Sequence, residues 1–208
     1  MLMDFKGIKN IIFDLGGVIL PIDISKTTEA YRELGISRID ELFGLGHADS
    51  FFKDYEQGKI EDDEFVGKVK RLVPGAVPDE VIIHAWNALL LDFPPEIIAF
   101  LKALKNRYRL FLFSNTNGIH HRSFIQHYRE VSGGEDFDDL FEKAWYSHII
   151  KRRKPDVSSF QFIVNEGKIE PGETLFIDDA LVNVEGAIKA GLQGIHLERG
   201  KTILDIGL

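Results

Sequence analysis

The chain contains three short apolar runs, and each of them ends in polar residues. The runs and the residues that follow them are, in chain order, residues 11–13 before Asp14, residues 110–113 before Ser114, and residues 175–177 before Asp178-Asp179. Short apolar runs bounded by such residues are typical of strands buried on both faces of a parallel sheet. Because ligands of open parallel sheets bind at the carboxyl ends of the strands, we expect these polar side chains to meet at one edge.

Predicted strands and helices alternate from residue 94 onward. Apolar runs predict strands at residues 9–14, 109–113, 143–146, 173–177 and 194–197. Helical spacing predicts helices at residues 95–107, 118–129, 156–166 and 181–190, with a loop at 131–139. This alternation predicts an α/β fold of the Rossmann-like type, a parallel sheet with helices on both faces.

Residues 22–91 have a different pattern. Apolar residues recur there at helical spacing, as at Phe65 and Val69, and no strand-like alternation interrupts them. We therefore predict an α/β core domain formed by residues 1–21 and 92–208, with residues 22–91 inserted as a helical bundle cap. A cap above the carboxyl edge of the sheet would exclude water and select substrates.

Composition narrows the class of function. The chain has 208 residues, of which 44% are hydrophobic, and a net charge of −8, which argues against nucleic-acid binding because that usually needs a basic face. A solvated loop explains most of the short basic run at residues 151–154. With no cysteine, disulfides and thiolate metal sites are excluded. No apolar run approaches the ~18 residues of a membrane helix, and no signal-peptide pattern is present. A soluble cytoplasmic protein without a membrane partner is expected.

Asp14 is the first candidate for chemistry. A carboxylate at a strand end either caps a turn or acts as a nucleophile or metal ligand, and this residue alone leaves both interpretations open. Gly16 and Gly17 let the backbone bend so that main-chain groups face a bound ion or phosphate. An aspartate can attack phosphorus and form an aspartyl-phosphate.

The acidic pair Asp178-Asp179 is a stronger signal. Adjacent carboxylates repel each other unless a cation or hydrogen-bond donors compensate. Mg²⁺ is a suitable cation because it uses one or two carboxylates together with substrate phosphate and waters. A solvated turn before a helix is the ordinary alternative. Asn183 would lie in the first turn of the next helix, where it could face the same site.

Ser114, Asn115 and Lys154 complete the set of candidates. Residues 114–117 are typical of a turn and helix cap, but the Ser114 hydroxyl and the amides beside it would also hold phosphoryl oxygens at a helix N-terminus. Most lysines are solvated, yet Lys154 beside the other groups would neutralise a transferring phosphoryl charge.

Together and in this order, these features resemble the haloacid dehalogenase (HAD) superfamily. The segments that match its four motifs are Asp14-Leu15-Gly16-Gly17-Val18, Phe113-Ser114-Asn115, Lys154-Pro155, and Phe176-Ile177-Asp178-Asp179 with Asn183. The helical insert resembles the type-1 cap of that family. The first motif, Tyr55-Glu56-Gln57-Gly58-Lys59-Ile60, residues 114–117 and residues 153–155 are similar to the branch that includes bacterial α-glucose-1-phosphate phosphatases.

The resemblance implies a Mg²⁺-dependent phosphatase of a small phosphorylated metabolite, such as a sugar phosphate. It implies that Asp14 is both the nucleophile and a Mg²⁺ ligand. The backbone carbonyl of Gly16 and the carboxylate of Asp179 would be the other protein ligands, with Asp178 and Asn183 supporting the ion through waters.

The same resemblance implies that Ser114 and Lys154 bind the phosphoryl group, and that Lys154 also offsets the charge of Asp14. Asn115 is expected to bind the substrate beside them. It carries no information on the oligomeric state.

Gly16 departs from the pattern of most phosphatases of the superfamily, which carry an Asp there as general acid and base. A positioned acid or base typically supplies ~10²–10⁴-fold in rate. The substrate would then have a good leaving group, such as an anomeric phosphate, or Asp23 or a cap residue would replace the missing group. Otherwise the protein would be a weak enzyme, a phosphometabolite binder or a regulator. The glucose-1-phosphate phosphatase branch resembles this motif with Gly, which favours activity.

Two other classes share part of this chemistry. A signalling receiver domain also has a phospho-accepting Asp, an acidic pair, a Ser or Thr and a Lys, but its acidic pair lies on the first strand. Here the pair follows the fourth predicted strand. A phosphotransferring mutase is disfavoured because mutases rely on the acid and base that Gly16 lacks.

The cap is the part whose side-chain directions the sequence does not reveal. The residues that could face the substrate are His47, Tyr55, Glu56, Gln57 and Trp86, although we favour core packing for Trp86. We expect Phe51 and Phe52 to fill the cap core. Four other histidines form no metal-ligand pattern and are predicted to be surface or packing residues: His120, His121, His127 and His148.

Overall fold

The computed structural model describes residues 5–36, residue 39 and residues 51–208. A five-stranded parallel sheet forms its centre, with the order β3-β2-β1-β4-β5. The strands are β1 (Asn10–Phe13), β2 (Arg109–Ser114), β3 (Lys143–Tyr146), β4 (Thr174–Asp178) and β5 (Gln193–His196). The predicted α/β class is therefore confirmed.

The first strand lies in the middle of the sheet. Phe13 pairs with Leu112 of β2 and with Ile177 of β4, so the carboxyl ends of these three strands lie at the same level. This register brings the polar residues that follow the strands to one edge, as their order in the sequence predicted.

Helices surround the sheet and lie in the described parts of the segment between β1 and β2. They are α1 (Ile24–Glu33), α2 (Phe51–Glu56), α3 (Asp62–Lys70), α4 (Asp79–Asn87), α5 (Pro95–Leu104), α6 (Gly118–Val131), α7 (Ser147–Ile150), α8 (Val157–Gly167) and α9 (Leu181–Lys189). Short 3₁₀ turns lie at Asp138–Leu140, Pro171–Glu173 and Ile203–Asp205.

Two apolar clusters cover the two faces of the sheet. Side chains alternate along a strand, so Ile11 and Phe13 of β1 join the cluster that contains Phe124 of α6, whereas Ile12 joins the cluster that contains Phe160 of α8. Burial on both faces explains why the strands appear in the sequence as continuous apolar runs rather than as alternating patterns.

The helices α1 to α4, here called the helical insert, share an apolar cluster of their own. Its rings include Tyr31, Phe52, Phe65 and Trp86, and Phe65 packs 4.8 Å from Trp86 between ring centroids. Ile119 of α6 also belongs to this cluster, so the insert is seated on the core. The division of the chain into two domains at residues 22 and 91 stays a prediction.

The described elements depart from the expected ones mainly at their ends. Helix α6 extends to Val131, and the predicted loop that follows contains a 3₁₀ turn. The short helix α7 was not predicted, because four residues are too few to give a helical period. None of the helices in the described part of the chain is long and apolar enough to cross a membrane.

Candidate active site

Four buried polar residues meet at the carboxyl edge of the sheet. Asp14 follows β1, Ser114 ends β2 and Asp178 ends β4, while Lys154 comes from the loop before α8. None of them is more than 8% exposed. The structure therefore brings together residues that lie as far as 164 positions apart in the chain.

Lys154 lies between two carboxylates. Its Nζ is 2.7 Å from Asp14 Oδ1 and 2.6 Å from Asp178 Oδ2, and the ammonium group is fully buried. Burial alone would lower the pKa of Lys154, but the two carboxylates outweigh this effect and raise the pKa above its ordinary value. The lysine is therefore a fixed positive charge at the centre of the site.

Asn115 holds the backbone of Lys154 in place. Its Nδ2 donates to the Lys154 carbonyl at 3.0 Å, and its Oδ1 accepts from the Lys154 N–H at 2.9 Å. Both polar groups of the Asn115 side chain are thus hydrogen-bonded to Lys154. A contact of Asn115 with the substrate would therefore be made by its backbone. That substrate-binding role stays a prediction.

Gly186 of α9 lets the Lys154 loop approach the helix. A Cβ atom at Gly186 would lie 2.3 Å from the Pro155 carbonyl oxygen, which is far closer than atoms pack. The absence of a side chain here positions the loop next to the end of β4.

Asp178 is saturated with hydrogen bonds. Its Oδ1 accepts from Ala180 N at 2.8 Å and from Asn183 Nδ2 at 3.0 Å, while its Oδ2 accepts from Lys154. Asn183 thus binds Asp178 directly, and its support of an ion through water stays a prediction. Asp178 therefore orients Lys154 with both oxygens already engaged.

Asp179 lies against the turn that follows Asp14. Gly17 adopts φ +74°, and a Cβ atom there would lie 2.3 Å from Asp179 Oδ2, so only glycine fits. Carboxylate oxygens of Asp14, Asp178 and Asp179 all lie within 4.8 Å of one another. This turn thus packs one carboxylate beside the other two.

The cluster holds more negative than positive charge. Burial raises the pKa of Asp14 to about 8, although Lys154 opposes that shift, and burial together with Asp178 raises the pKa of Asp179. Of the Asp14 oxygens, Oδ1 accepts from Leu15 N at 2.7 Å and contacts Lys154, whereas Oδ2 accepts no hydrogen bond from the described residues. A site with unbalanced carboxylate oxygens fits a hard divalent cation such as Mg²⁺.

A cavity of about 190 Å³ separates this edge from the helical insert. It is lined by Leu15, Gly16, Leu20, Ile22, Ile24, Glu56, Trp86, Leu89, Leu90, Ser114, Asn115, Thr116, His120 and Phe124. The Ser114 hydroxyl makes no hydrogen bond to any described residue, so it is available to a ligand in this cavity. We call this space the edge cavity.

A larger cleft of about 610 Å³ reaches the acidic cluster at Gly17 and Asp179 and shares Ile22 and Ile24 with the edge cavity. Asp23 lines this cleft and not the edge cavity. Its Oδ1 caps α1, accepting from Ser25 N at 3.0 Å and from Ser25 Oγ, and these bonds lower its pKa. Asp23 is therefore engaged in helix capping, which weakens its candidacy as a replacement acid and base.

An aliphatic side chain covers the position next to Gly16. A Cβ atom at Gly16 would lie 3.4 Å from Ile22 Cδ1 and 3.7 Å from Ile22 Cγ2. Both residues line the edge cavity. Most phosphatases of the superfamily would carry an acid at the position of Gly16, whereas here the neighbouring side chain is the aliphatic Ile22.

The predicted residues of the insert take different positions. Glu56 and Trp86 line the edge cavity. Tyr55 is buried and donates its hydroxyl to Asp62. It belongs to the insert's apolar cluster, which also contains Phe52. Gln57 does not line the cavity. His47 lies outside the described residues.

Sequence reasoning missed the residues that join the insert to the core. Ser147 accepts from Thr116 N at 2.9 Å, and its hydroxyl lies 2.6 Å from the Glu56 carbonyl oxygen. Arg153 Nη2 lies 2.8 Å from Glu56 Oε2. An isolated serine and an arginine in a basic run give no local signal for such contacts.

The histidines pack rather than cluster as metal ligands. His120 stacks on Trp86 with 4.7 Å between ring centroids, and burial lowers its pKa to about 4. Within the described residues, the one group of acidic and histidine side chains with metal-ligand spacing is the three-aspartate cluster.

A parallel sheet with an aspartate after its first strand, and with a serine, a lysine and a later acidic pair at the same carboxyl edge, is the arrangement expected of the hydrolase superfamily that the motifs resemble. Residues 8–191 match the family model for haloacid dehalogenase-like hydrolases. The chain therefore belongs to the haloacid dehalogenase-like hydrolase family.

Two curated relatives align over most of the chain. It is 30% identical over 193 residues to a D-ribitol-5-phosphate phosphatase of Bacteroides thetaiotaomicron, with 93% of each chain covered. It is 26% identical over 194 residues to a sesquiterpene phosphatase of Aspergillus oryzae, covering 91% of this chain and 89% of the relative.

A solved structure shares the whole fold. A HAD family enzyme of Bacteroides thetaiotaomicron, in complex with magnesium and inorganic phosphate, superposes with a TM-score of 0.88 and 31% identity. The superposition covers 97% of this chain and 100% of that enzyme.

Proposed function

We propose that this chain is a Mg²⁺-dependent phosphatase that hydrolyses a small phosphorylated metabolite. The observation that carries the proposal is the buried triad of Asp14, Lys154 and Asp178 at the sheet edge, next to the free hydroxyl of Ser114. Family membership, the two relatives named as phosphatases and the neighbour bound to magnesium and phosphate support it.

In the proposed reaction, Asp14 is the nucleophile. Its Oδ2 attacks phosphorus and the bond from phosphorus to the alcohol oxygen breaks, so the leaving oxygen takes its proton from water and departs as the alcohol. A second water then hydrolyses the aspartyl-phosphate, which releases inorganic phosphate and regenerates the carboxylate. Lys154 holds the opposite oxygen, Oδ1, which fixes the direction of Oδ2. Two steps replace one difficult displacement.

Ser114 and Lys154 bind the phosphoryl oxygens. The Ser114 hydroxyl donates to one oxygen, and the Lys154 ammonium offsets charge that develops on the group in the transition state. Asp178 and Asn115 act on Lys154 from two sides, one through its ammonium group and the other through its backbone.

Asp14 and Asp179 would hold the Mg²⁺ ion, together with the Gly16 carbonyl. The three side-chain carboxylates close to one another, with one buried lysine between two of them, fit such an ion. When bound, the ion supplies positive charge that offsets both the carboxylates and the substrate phosphate.

A second candidate function is a catalytically weak binder or regulator. The observation that favours it is Gly16, which carries no acid and whose Cβ position would lie 3.4 Å from the aliphatic side chain of Ile22. Such a protein would bind phosphate esters without releasing phosphate.

The first experiment measures phosphate release with and without a chelator of Mg²⁺. The panel contains anomeric, primary-alcohol and activated aryl phosphates. We expect Mg²⁺-dependent release, fastest from esters with good leaving groups because no acid lies at Gly16. Binding of esters without release of phosphate from any of them would instead establish the binder.

The second experiment tests the nucleophile. We expect Asp14→Asn to abolish turnover while the fold is retained, because the amide cannot attack phosphorus. Asp63→Asn, at an exposed position of α3, is the matched control and should leave turnover unchanged. An Asp14→Asn variant as fast as the parent would show that another group attacks.

A further inference from the structure

The polar side chains of the edge cavity are largely engaged with each other. His120 binds the Trp86 carbonyl oxygen through Nε2 at 3.0 Å and Asn117 Nδ2 through Nδ1 at 3.0 Å. The Trp86 indole N–H donates to Asn117 Oδ1 at 3.2 Å. Neither nitrogen of the His120 ring is therefore left to recognise a substrate.

At the end near the sheet, the Asn115 side chain binds Lys154 with both polar ends. The Thr116 N–H donates to Ser147, and the Thr116 hydroxyl is the one cavity hydroxyl besides that of Ser114 that makes no hydrogen bond to a described residue. Glu56 is paired with Arg153 at 2.8 Å. Ser114 faces the phosphoryl position, so it serves the phosphate rather than the alcohol.

The rest of the wall is hydrocarbon from both the core and the insert. These residues are Leu15, Leu20, Ile22, Ile24, Leu89, Leu90 and Phe124. Ile24 is 50% exposed at the start of α1, so part of its side chain remains accessible to a ligand that enters the cavity.

We propose that the alcohol portion of the substrate is compact and hydrocarbon-rich, not a polyol. This inference rests on the proposed phosphatase function and names its substrate class. An apolar cavity of about 150 Å³ holds a benzene molecule, so about 190 Å³ accommodates a group the size of a six-membered ring. Each buried hydroxyl of a polyol would need a partner, and the wall offers few.

The test compares two primary-alcohol esters, cyclohexylmethyl phosphate and ribitol 5-phosphate. Their leaving groups are of the same kind, so the absence of an acid at Gly16 affects both. We expect kcat/KM to be at least about 10-fold higher for the cyclohexylmethyl ester, since a single methylene in an apolar pocket already discriminates by about that factor. Equal or faster hydrolysis of ribitol 5-phosphate would overturn the inference.

A variant ties the preference to the cavity wall. Ile24→Asn should lower kcat/KM for cyclohexylmethyl phosphate several-fold and leave that for ribitol 5-phosphate equal or higher. Ile188→Asn replaces another exposed isoleucine, on α9 and away from the cavity, and should change neither value. Parallel losses with both esters in Ile24→Asn would contradict the role of the wall.

An activated ester separates this inference from the proposed function. Release from 4-nitrophenyl phosphate with no preference for the cyclohexylmethyl ester would overturn the substrate class alone. Absence of release from every ester would overturn the phosphatase. In that case the substrate class is decided by which of the two alkyl esters raises the melting temperature more at equal concentration.

Discussion

The acidic cluster and the edge cavity lie side by side, yet they are built from different parts of the chain. The cluster consists of core residues at or just beyond strand ends, and its polar atoms bind one another in fixed geometry. The cavity is formed by side chains of both the core and the insert. The order of the strands thus determines which charged groups meet in the cluster. The directions of the side chains between the core and the insert determine the shape of the cavity, and hence which molecules fit in it.

Removal of Lys154 should produce the largest effect in the cluster. Lys154→Met leaves Asp14 and Asp178 buried without their cation, and breaking a buried ion pair in this way costs about 3–5 kcal/mol of unfolding free energy. Urea denaturation measures the loss.

Lys9→Met is the matched control for this substitution. Lys9 also forms a 2.7 Å ion pair, with Glu173, but its side chain is 67% exposed, so the expected loss is about 0–1 kcal/mol. Equal losses in the two variants would mean that the buried pairs do not stabilise the fold.

The next largest effect should come from a decrease in pH, which is expected to weaken the contact that His120 makes between the core and the insert. Burial lowers the pKa of His120 to about 4, while a histidine in the unfolded chain titrates near 6.5. The folded state binds fewer protons between these values, so the unfolding free energy falls as pH decreases through this window. The expected loss is about 3 kcal/mol by pH 4, since one pKa unit is about 1.4 kcal/mol.

Urea denaturation of His120→Gln and of the parent at pH 7 and pH 4.5 isolates this contribution. Asp14, whose pKa is raised, acts in the opposite sense in both proteins and cancels from the difference. We expect a smaller pH dependence in His120→Gln and an unchanged one in His84→Gln, at an exposed position of α4. The same pH dependence in all three proteins would exclude His120 as its source.

Alanine substitutions at one glycine beside the acidic cluster and at one glycine in the insert compare the two regions. Gly17→Ala forces a Cβ atom against Asp179 and places an L-residue at positive φ, which costs about 1–2 kcal/mol and should weaken Mg²⁺-dependent turnover. Gly67→Ala in α3 meets no atom within 4 Å and should stabilise the protein by about 0.5–1 kcal/mol without affecting turnover. Thermal unfolding and kcat, measured together, check both; an active, unshifted Gly17→Ala would refute the steric argument.

Glu56 should give the smallest effect. Glu56→Gln weakens a partly exposed pair with Arg153, so the unfolding free energy should fall by less than about 1 kcal/mol. Because Glu56 lines the edge cavity, KM should change while kcat does not. Glu61→Gln, exposed at the start of α3, is the control and should alter neither constant.

The core could be predicted from the sequence because its signals are local. The strand at Lys143–Tyr146 has the predicted bounds, and β1, β2, β4 and β5 lie within one residue of theirs at each end. An apolar run that stops at Asp14 or Ser114 places that residue at the carboxyl edge regardless of the rest of the sequence. The juxtaposition of Asp14, Lys154 and Asp178 followed from strand ends together with the family resemblance.

The cavity could not be predicted in the same way. Whether Asn115 faces a substrate or the backbone of Lys154 depends on a loop 39 residues away. Asp23 has the sequence position of a possible acid, but its hydrogen bonds to Ser25 serve α1. Helical spacing identifies which residues of the insert are apolar, and packing against the core then decides which of them line the cavity.

The central position of β1 has a consequence for biosynthesis. Asp14 is synthesised before both strands that flank it, and Asp178 follows it only after a further 164 residues. A nascent chain therefore holds Asp14 without the lysine and the carboxylates that surround it in the folded sheet. The acidic cluster is complete only when β4 inserts beside β1, so this site forms during synthesis only after β1, β2 and β3 have been made.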